Sequence, residues 1–164
     1  MLRLILIWSS VFYLACGICP NDWVRYEGSC YYFADLPKDR VTWQVALQRC
    51  LSNESSLVVV ETKAENDFIK SHLAQLHPQT EDQFWTLGND LDTENTWMWG
   101  QSTNSVVAPF TTTFWYPGEP NQNGGEEDCL SFYTRYNFAW NDEHCDRPEY
   151  YICEIMDSIG EIIG

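Results

Sequence analysis

The sequence predicts an α+β domain with two helices, small antiparallel sheets and a long loop region. Three observations lead there. Two helical apolar patterns fall in the first half of the chain, short aromatic and β-branched runs dominate the second half, and six of the seven cysteines, from Cys19 to Cys153, span both.

The chain of 164 residues opens Met1-Leu2-Arg3 and continues through an apolar run from Leu4 to Ala15, broken at Ser9-Ser10 and followed by Cys16-Gly17. A basic start, a short apolar stretch and a small-residue end have the form of a signal peptide, and the run falls short of the roughly 20 residues that cross a bilayer. Residues 1–17 are therefore read as a leader, 18–154 as one domain and 155–164 as a short C-terminal tail. Removing the leader takes away Cys16 and leaves Cys19, Cys30, Cys50, Cys129, Cys145 and Cys153, an even set suited to disulfides in an oxidising, extracellular compartment. Six cysteines allow 15 pairings, among which sequence arithmetic does not choose. Asn53-Glu54-Ser55 is a glycosylation sequon, which fits export.

Charge narrows the partners. The chain carries 24 acids against 9 Lys and Arg, a net charge of −15. Nucleic acid and anionic membranes are bound by clustered cations, so neither is expected as a partner, and no membrane insertion is expected.

The elements follow in order. Trp23 to Phe33 is aromatic-rich around Gly28-Ser29 and reads as two strands with a turn. Thr42 to Cys50 carries apolar residues at helical spacing, and Leu57-Val58-Val59-Val60 reads as a short buried strand. Thr62-Lys63-Ala64-Glu65 is a capping box opening a second helix, with Phe68, Ile69, Leu73 and Leu76 inward and an end near His77-Pro78. Trp85-Thr86-Leu87-Gly88 and Trp97-Met98-Trp99 are strand-like, whereas Gly88 to Glu94 and Ser102 to Asn123 are long and polar. Long irregular stretches in a compact domain often carry function. Phe110, Phe114, Trp115 and Tyr116 predict that this one is ordered. Trp43, Trp85, Trp97 and Trp140 are expected in the core; for Tyr116, Tyr133 and Phe138 packing in the core or at its rim is favoured over the alternative of lining a sugar platform.

The most informative segment is Glu119-Pro120-Asn121-Gln122-Asn123-Gly124-Gly125-Glu126-Glu127-Asp128-Cys129, followed downstream by Trp140-Asn141-Asp142. Carboxylates gathered without Lys or Arg repel one another and are relieved by solvation, protonation or a hard cation. Ca²⁺ suits them, because it takes 6–8 oxygens and accepts carboxylates and amide carbonyls together. A cis Glu119-Pro120 bond would turn the Glu119 and Asn121 side chains toward one point. Binding should then fail as pH falls toward the ordinary carboxylate range, roughly 4–5.

Glu119-Pro120-Asn121, the Glu127-Asp128-Cys129 step, Trp140-Asn141-Asp142 and Cys145 with Cys153 together resemble the carbohydrate-recognition domain of C-type lectins. Trp85-Thr86-Leu87-Gly88 is similar to that family's Trp-Ile-Gly-Leu signature, and Trp23 to Tyr31 resembles its opening hairpin. The resemblance covers about residues 19–154. It implies pairing of Cys19 with Cys30, Cys50 with Cys153 and Cys129 with Cys145. It also implies that Glu119, Asn121, Glu127, Asn141 and Asp142 hold Ca²⁺ and bind sugar, with one end of each side chain on the ion and the other on a sugar hydroxyl. Glu119 accepts and Asn121 donates. In the family this order goes with the equatorial hydroxyls of mannose or N-acetylglucosamine and with fucose. A second, auxiliary calcium site is implied at Asp90, Glu94, Glu127 and Asp128, with Gln122 where the family usually has Asn or Asp.

The expected function is thus that of a secreted, calcium-dependent, mannose-type lectin recognising glycans on microbial or foreign cells, in innate immunity or agglutination. A homo-oligomer would supply avidity. The alternative is a domain of the same fold directed at a protein or mineral matrix, with calcium structural. No catalysis is expected: a nucleophile elbow is missing, and the carboxylates that could serve a glycosidase are better used as ion ligands. His72, His77 and His144 lack metal spacing and are expected as surface or partly buried residues.

Overall fold

The computed structural model describes residues 18–78, 80–100 and 108–156. The leader read at 1–17 and residues 157–164 of the tail lie outside the described residues.

Strands β1 (Val24–Tyr26) and β2 (Ser29–Ala34) form the expected antiparallel hairpin. Helix α1 (Trp43–Ser52) buries Trp43, Ala46, Leu47 and Cys50, the stripe that a period of 3.6 places on one face. Of the run at 57–60, only Leu57 joins a strand, β3 (Ser56–Leu57). Val58 and Val60 are fully buried but irregular, because Val58 bonds in two directions: its N–H to Ile152 O at 2.9 Å and its carbonyl to Leu87 N at 2.9 Å.

Helix α2 (Lys63–Leu76) is capped by Thr62, whose hydroxyl accepts the Glu65 N–H at 3.1 Å. The Glu65 carboxylate returns to Glu61 N at 2.9 Å, one residue further out than a capping box places it. Ile69 and Leu73 are buried and Phe68 stacks on Tyr26, but Leu76 is 40% exposed, against expectation. His77 takes the inward place at that end, edge-on to Phe84 and bonded to Asp82 at 2.9 Å.

The remaining strands are β4 (Gln83–Asn89), β5 (Met98–Trp99), β6 (Ala108–Pro109), β7 (Cys129–Tyr133), β8 (Ala139–Glu143) and β9 (Tyr150–Met156). The last carries chain order two residues beyond 154. They join β1–β3 in one sheet, ordered β1-β2-β9-β4-β5-β6, with β3 on β9 and β8 on β7, which itself pairs β4. Pairing is antiparallel except where β4 meets β9, so the sheet is mixed rather than wholly antiparallel. Every residue of β4 is buried. Among the described residues no helix is long and apolar enough to cross a membrane.

Cys19–Cys30, Cys50–Cys153 and Cys129–Cys145 are disulfide-bonded, the pairing the resemblance implied. The Cys50–Cys153 link spans 103 residues; closing a loop of that length removes chain entropy worth about 4.7 kcal/mol. Three core tryptophans have a partner for the indole N–H: Trp43 donates to Thr86 O at 2.8 Å, Trp85 to Val41 O at 3.0 Å and Trp140 to Asn66 Oδ1 at 3.1 Å, whereas Trp97 Nε1 is buried without one. Trp97 is only partly buried.

Candidate functional site

The site is built by laying an irregular segment along strand β8. Phe114 O accepts the Trp140 N–H at 3.0 Å, and Trp140 O accepts the Tyr116 N–H at 2.9 Å. The Trp140 ring fixes this register by meeting Trp99, Phe110, Phe114 and Trp115 edge to face, with centroids 5.2–5.7 Å apart. Phe110 enters because Gly88 has no side chain; a Cβ there would lie 2.8 Å from Phe110 Cζ. The aromatics of the long polar stretch thus order its described part, residues 108–123, as expected; residues 102–107 lie outside the described residues. Glu119 N then bonds Tyr116 O at 2.9 Å, and the Glu119-Pro120 peptide is cis.

This path sets Glu119, Asn121 and Gln122 against Asp142. One Asp142 oxygen, Oδ2, accepts the N–H groups of both Asn121 and Gln122 at 2.9 Å. Its other oxygen, Oδ1, is buried without a hydrogen-bond partner, and so is Glu119 Oε2. The neighbouring Asn141 commits its amide nitrogen to Gln83 Oε1 at 3.1 Å and to the Asp142 carbonyl, which leaves the amide oxygen as its free end for a cation. Glu127 accepts the Asn123 N–H, so four of the five expected principal residues gather around the Asn121–Asn123 backbone and the fifth lies beside them on β8.

The expected auxiliary residues gather one step away. Asp90 N bonds Asp128 O at 3.1 Å, and Asp90 Oδ2 accepts Asn95 N at 2.9 Å while Oδ1 is buried without a partner. Gln122 spans the gap between the groups: its Nε2 donates to Glu94 at 3.0 Å and its Oε1 accepts the Glu127 N–H at 2.8 Å. The longer side chain thus reaches both acids.

Electrostatics record the crowding. Burial, and then the Asp142 carboxylate, push Glu119 up to about 7. Burial pushes Asp90 up to about 6, with Glu94 and Asp128 adding to the rise. Glu127 and Asp128 are raised as well, again chiefly by burial. The protonation range therefore lies above the ordinary 4–5 expected from sequence. Among the described residues three carboxylate oxygens are orphaned, Glu119 Oε2 and Asp142 Oδ1 in one group and Asp90 Oδ1 in the other; a hard cation at each group would satisfy them, and the oxygen-only donor set fits Ca²⁺.

Several participants carried no recognisable sequence signal. Gln83 joins Ser131, Asn141 and Glu143 through its amide. The Tyr136 hydroxyl and the Glu119 carboxylate interact electrostatically, and the Glu119 charge helps to raise Tyr136. Glu127, Glu143 and His144 bring ligand atoms within 4.8 Å of one another, although His144 has no metal spacing in sequence; its Nδ1 bonds Glu126 O at 2.9 Å. Across the molecule, Glu61, Glu65 and Glu154 line a cleft of about 240 Å³ with Tyr31, and burial pushes Glu154 up to about 7.

Fold and site together define a C-type lectin domain, and comparison with known proteins agrees. Residues 39–155 match the Lectin C-type domain family. The C-type lectin domain family 4 member M of Gorilla gorilla gorilla is 33% identical over 140 residues, covering 85% of this chain and 34% of its own length. The chain therefore spans about a third of that relative. Among solved structures, the mouse scavenger receptor C-type lectin carbohydrate-recognition domain has a TM-score of 0.72 at 27% identity, covering 85% of this chain and 99% of its own. The cow CD23 carbohydrate-recognition domain, solved in the presence of a GlcNAc2Man3 oligosaccharide, has a TM-score of 0.70 at 27% identity, covering 86% and 98%. The chain belongs to the C-type lectin domain family, whose domains generally bind Ca²⁺.

Proposed function

We propose that the protein is a secreted, non-catalytic lectin that binds mannose-type glycans through Ca²⁺ held at Glu119, Asn121, Glu127, Asn141 and Asp142. The observation that carries this reading is the facing pair of buried, unpartnered oxygens, Glu119 Oε2 and Asp142 Oδ1. Two such oxygens aimed at one place destabilise the site unless a proton or a cation joins them.

Bound Ca²⁺ would supply an open Lewis-acidic centre for two vicinal hydroxyls of a sugar. The chain's own residues then set direction. Glu119 can only accept a hydrogen bond, and the Asn121 amide nitrogen can donate, so a sugar presenting one hydroxyl to each is held in one orientation. Asp142 is fixed for its part by two backbone N–H groups, which leaves a single oxygen pointing inward. Acid-then-amide order favours equatorial hydroxyl pairs, as in mannose and N-acetylglucosamine, and also suits fucose. The auxiliary group at Asp90, Glu94, Glu127 and Asp128 holds a second ion that stiffens the loop through Gln122.

Such an open site gives weak binding per copy, so several copies acting together recognise glycans on microbial or foreign cells. Residues 1–17 act as the leader for export, and Asn53, which is exposed, carries an N-linked glycan. The test is Glu119→Ala. Calcium-dependent retention on a mannose resin should be abolished while the thermal midpoint without calcium stays the same or rises. Retention unchanged in that variant contradicts the assignment.

A further inference from the structure

Trp23, Tyr32, Arg49, Asn53 and Tyr151 line a cleft of about 420 Å³ that shares no residue with the calcium site. Clefts of about 300–1,000 Å³ accommodate small organic molecules. Asp39 completes the lining, with its Oδ1 3.6 Å from Arg49 Nη1.

Two disulfides fix the walls. Cys19–Cys30 closes the hairpin that carries Trp23 and Tyr32, whose ring centroids lie 5.6 Å apart. Cys50–Cys153 ties the last turn of α1 to strand β9, and Tyr32 pairs directly with Cys153 across the sheet. The end of α1 is thereby held beside Tyr32. Its C-cap residue is Asn53, the acceptor of the sequon Asn53-Glu54-Ser55.

Asn53 is exposed at this cleft, and its amide is already oriented, since Nδ2 donates to Arg49 O at 3.0 Å. An asparagine amide has two N–H groups, so a glycan replaces one and the other keeps this bond. A sugar attached there starts at the mouth of the cleft. N-linked glycans begin with N-acetylglucosamine, whose face of C–H groups suits an electron-rich ring, and Trp23 is only partly buried. Its acetamido group presents one acceptor and one donor, which match the Arg49 guanidinium and the Asp39 carboxylate.

We propose that this cleft receives the first N-acetylglucosamine of a glycan on Asn53, so that the glycan braces the N-terminal hairpin against helix α1. The inference rests on the export and glycosylation of Asn53 proposed above. Trp23 and Tyr32 are the contact residues, and Arg49 orients both the Asn53 amide and the acetamido group.

The test takes the full chain from a eukaryotic host that adds only high-mannose glycans, trimmed by an endoglycosidase to a single N-acetylglucosamine. Its comparison is the same chain exported to a bacterial periplasm, where no glycan is added. The single sugar should raise the thermal midpoint by about 2–4 °C. In Trp23→Ala, which lacks the ring that the sugar covers, the two forms should melt together. Nuclear Overhauser contacts between the sugar protons and the Trp23 indole should appear in the trimmed wild-type protein, a readout that does not depend on any variant folding. Equal midpoints for the two wild-type forms, a difference that survives in Trp23→Ala, or absence of those contacts overturns the cleft assignment alone. A mass spectrum showing Asn53 unmodified in the secreted chain overturns the glycosylation and this inference with it.

Discussion

The Asp142 carboxylate faces that of Glu119, and each keeps one buried oxygen, Oδ1 and Oε2, without a hydrogen-bond partner. Asp142 comes from strand β8, Glu119 from a segment that the Trp140 aromatic cluster clamps beside that strand. The clamp holds two like charges close enough that burial and Asp142 together raise Glu119 from its ordinary 4.5 to about 7. The fold is thereby strained at one place in a way that a divalent cation relieves.

Stability without calcium should fall as pH rises. The folded protein holds a proton on Glu119 up to about 7, and the unfolded chain releases it near 4.5, so the folded state binds more protons across that window. Asp90 acts in the same sense between 3.8 and about 6. The thermal midpoint in EDTA should therefore drop between pH 5 and pH 7.5. Calcium requires the ionised groups, so the rise in midpoint that it produces should grow over the same range. Thermal melts with and without calcium at several pH values check both slopes; a calcium effect equally large at pH 5 and pH 7.5 contradicts them.

Asp142→Asn separates charge from shape. The amide keeps an oxygen for the Asn121 and Gln122 N–H groups but removes the repulsion with Glu119. The midpoint in EDTA at pH 7.5 should hold or rise, while calcium affinity measured by titration calorimetry falls by about tenfold to a hundredfold. A lower midpoint without calcium, together with unchanged affinity, is the contrary outcome.

Gly88→Ala tests the clamp. The new methyl would lie 2.8 Å from Phe110 Cζ and 3.0 Å from Leu130 Cβ. Overpacking of this kind costs about 1–3 kcal/mol. Phe110 belongs to the cluster around Trp140, so calcium affinity should weaken along with the thermal midpoint. Loss of stability with calcium affinity intact would place the site outside the influence of this cluster.

Local rules made much of the fold legible. The 43, 46, 47, 50 spacing gave helix α1 its buried stripe, and Thr62 with Glu65 marked the start of α2. The error at Leu76 arose because His77, polar on its own, pays for burial with a bond to Asp82. Val58–Val60 has the composition of a strand, but its bonds go to two different partners, a tertiary choice that β propensity does not encode. At the site, the acids and amides stood out as a run, and the disulfide pairing followed from resemblance to the family. The roles of Gln83 and Tyr136 stayed hidden, because each depends on a neighbour 48 or more residues away for Gln83 and on the turn after β7 for Tyr136.

The central claim is calcium-dependent binding of mannose-type sugars at Glu119 and Asn121. It is tested most directly by passing the protein, as secreted by a eukaryotic host, over immobilised mannose and immobilised galactose in calcium and then in EDTA. Retention on mannose in calcium, release by EDTA and passage through galactose are the expected result. Retention on galactose alone would contradict the donor and acceptor order assigned to Glu119 and Asn121, and retention on mannose that persists in EDTA would contradict the role given to the ion.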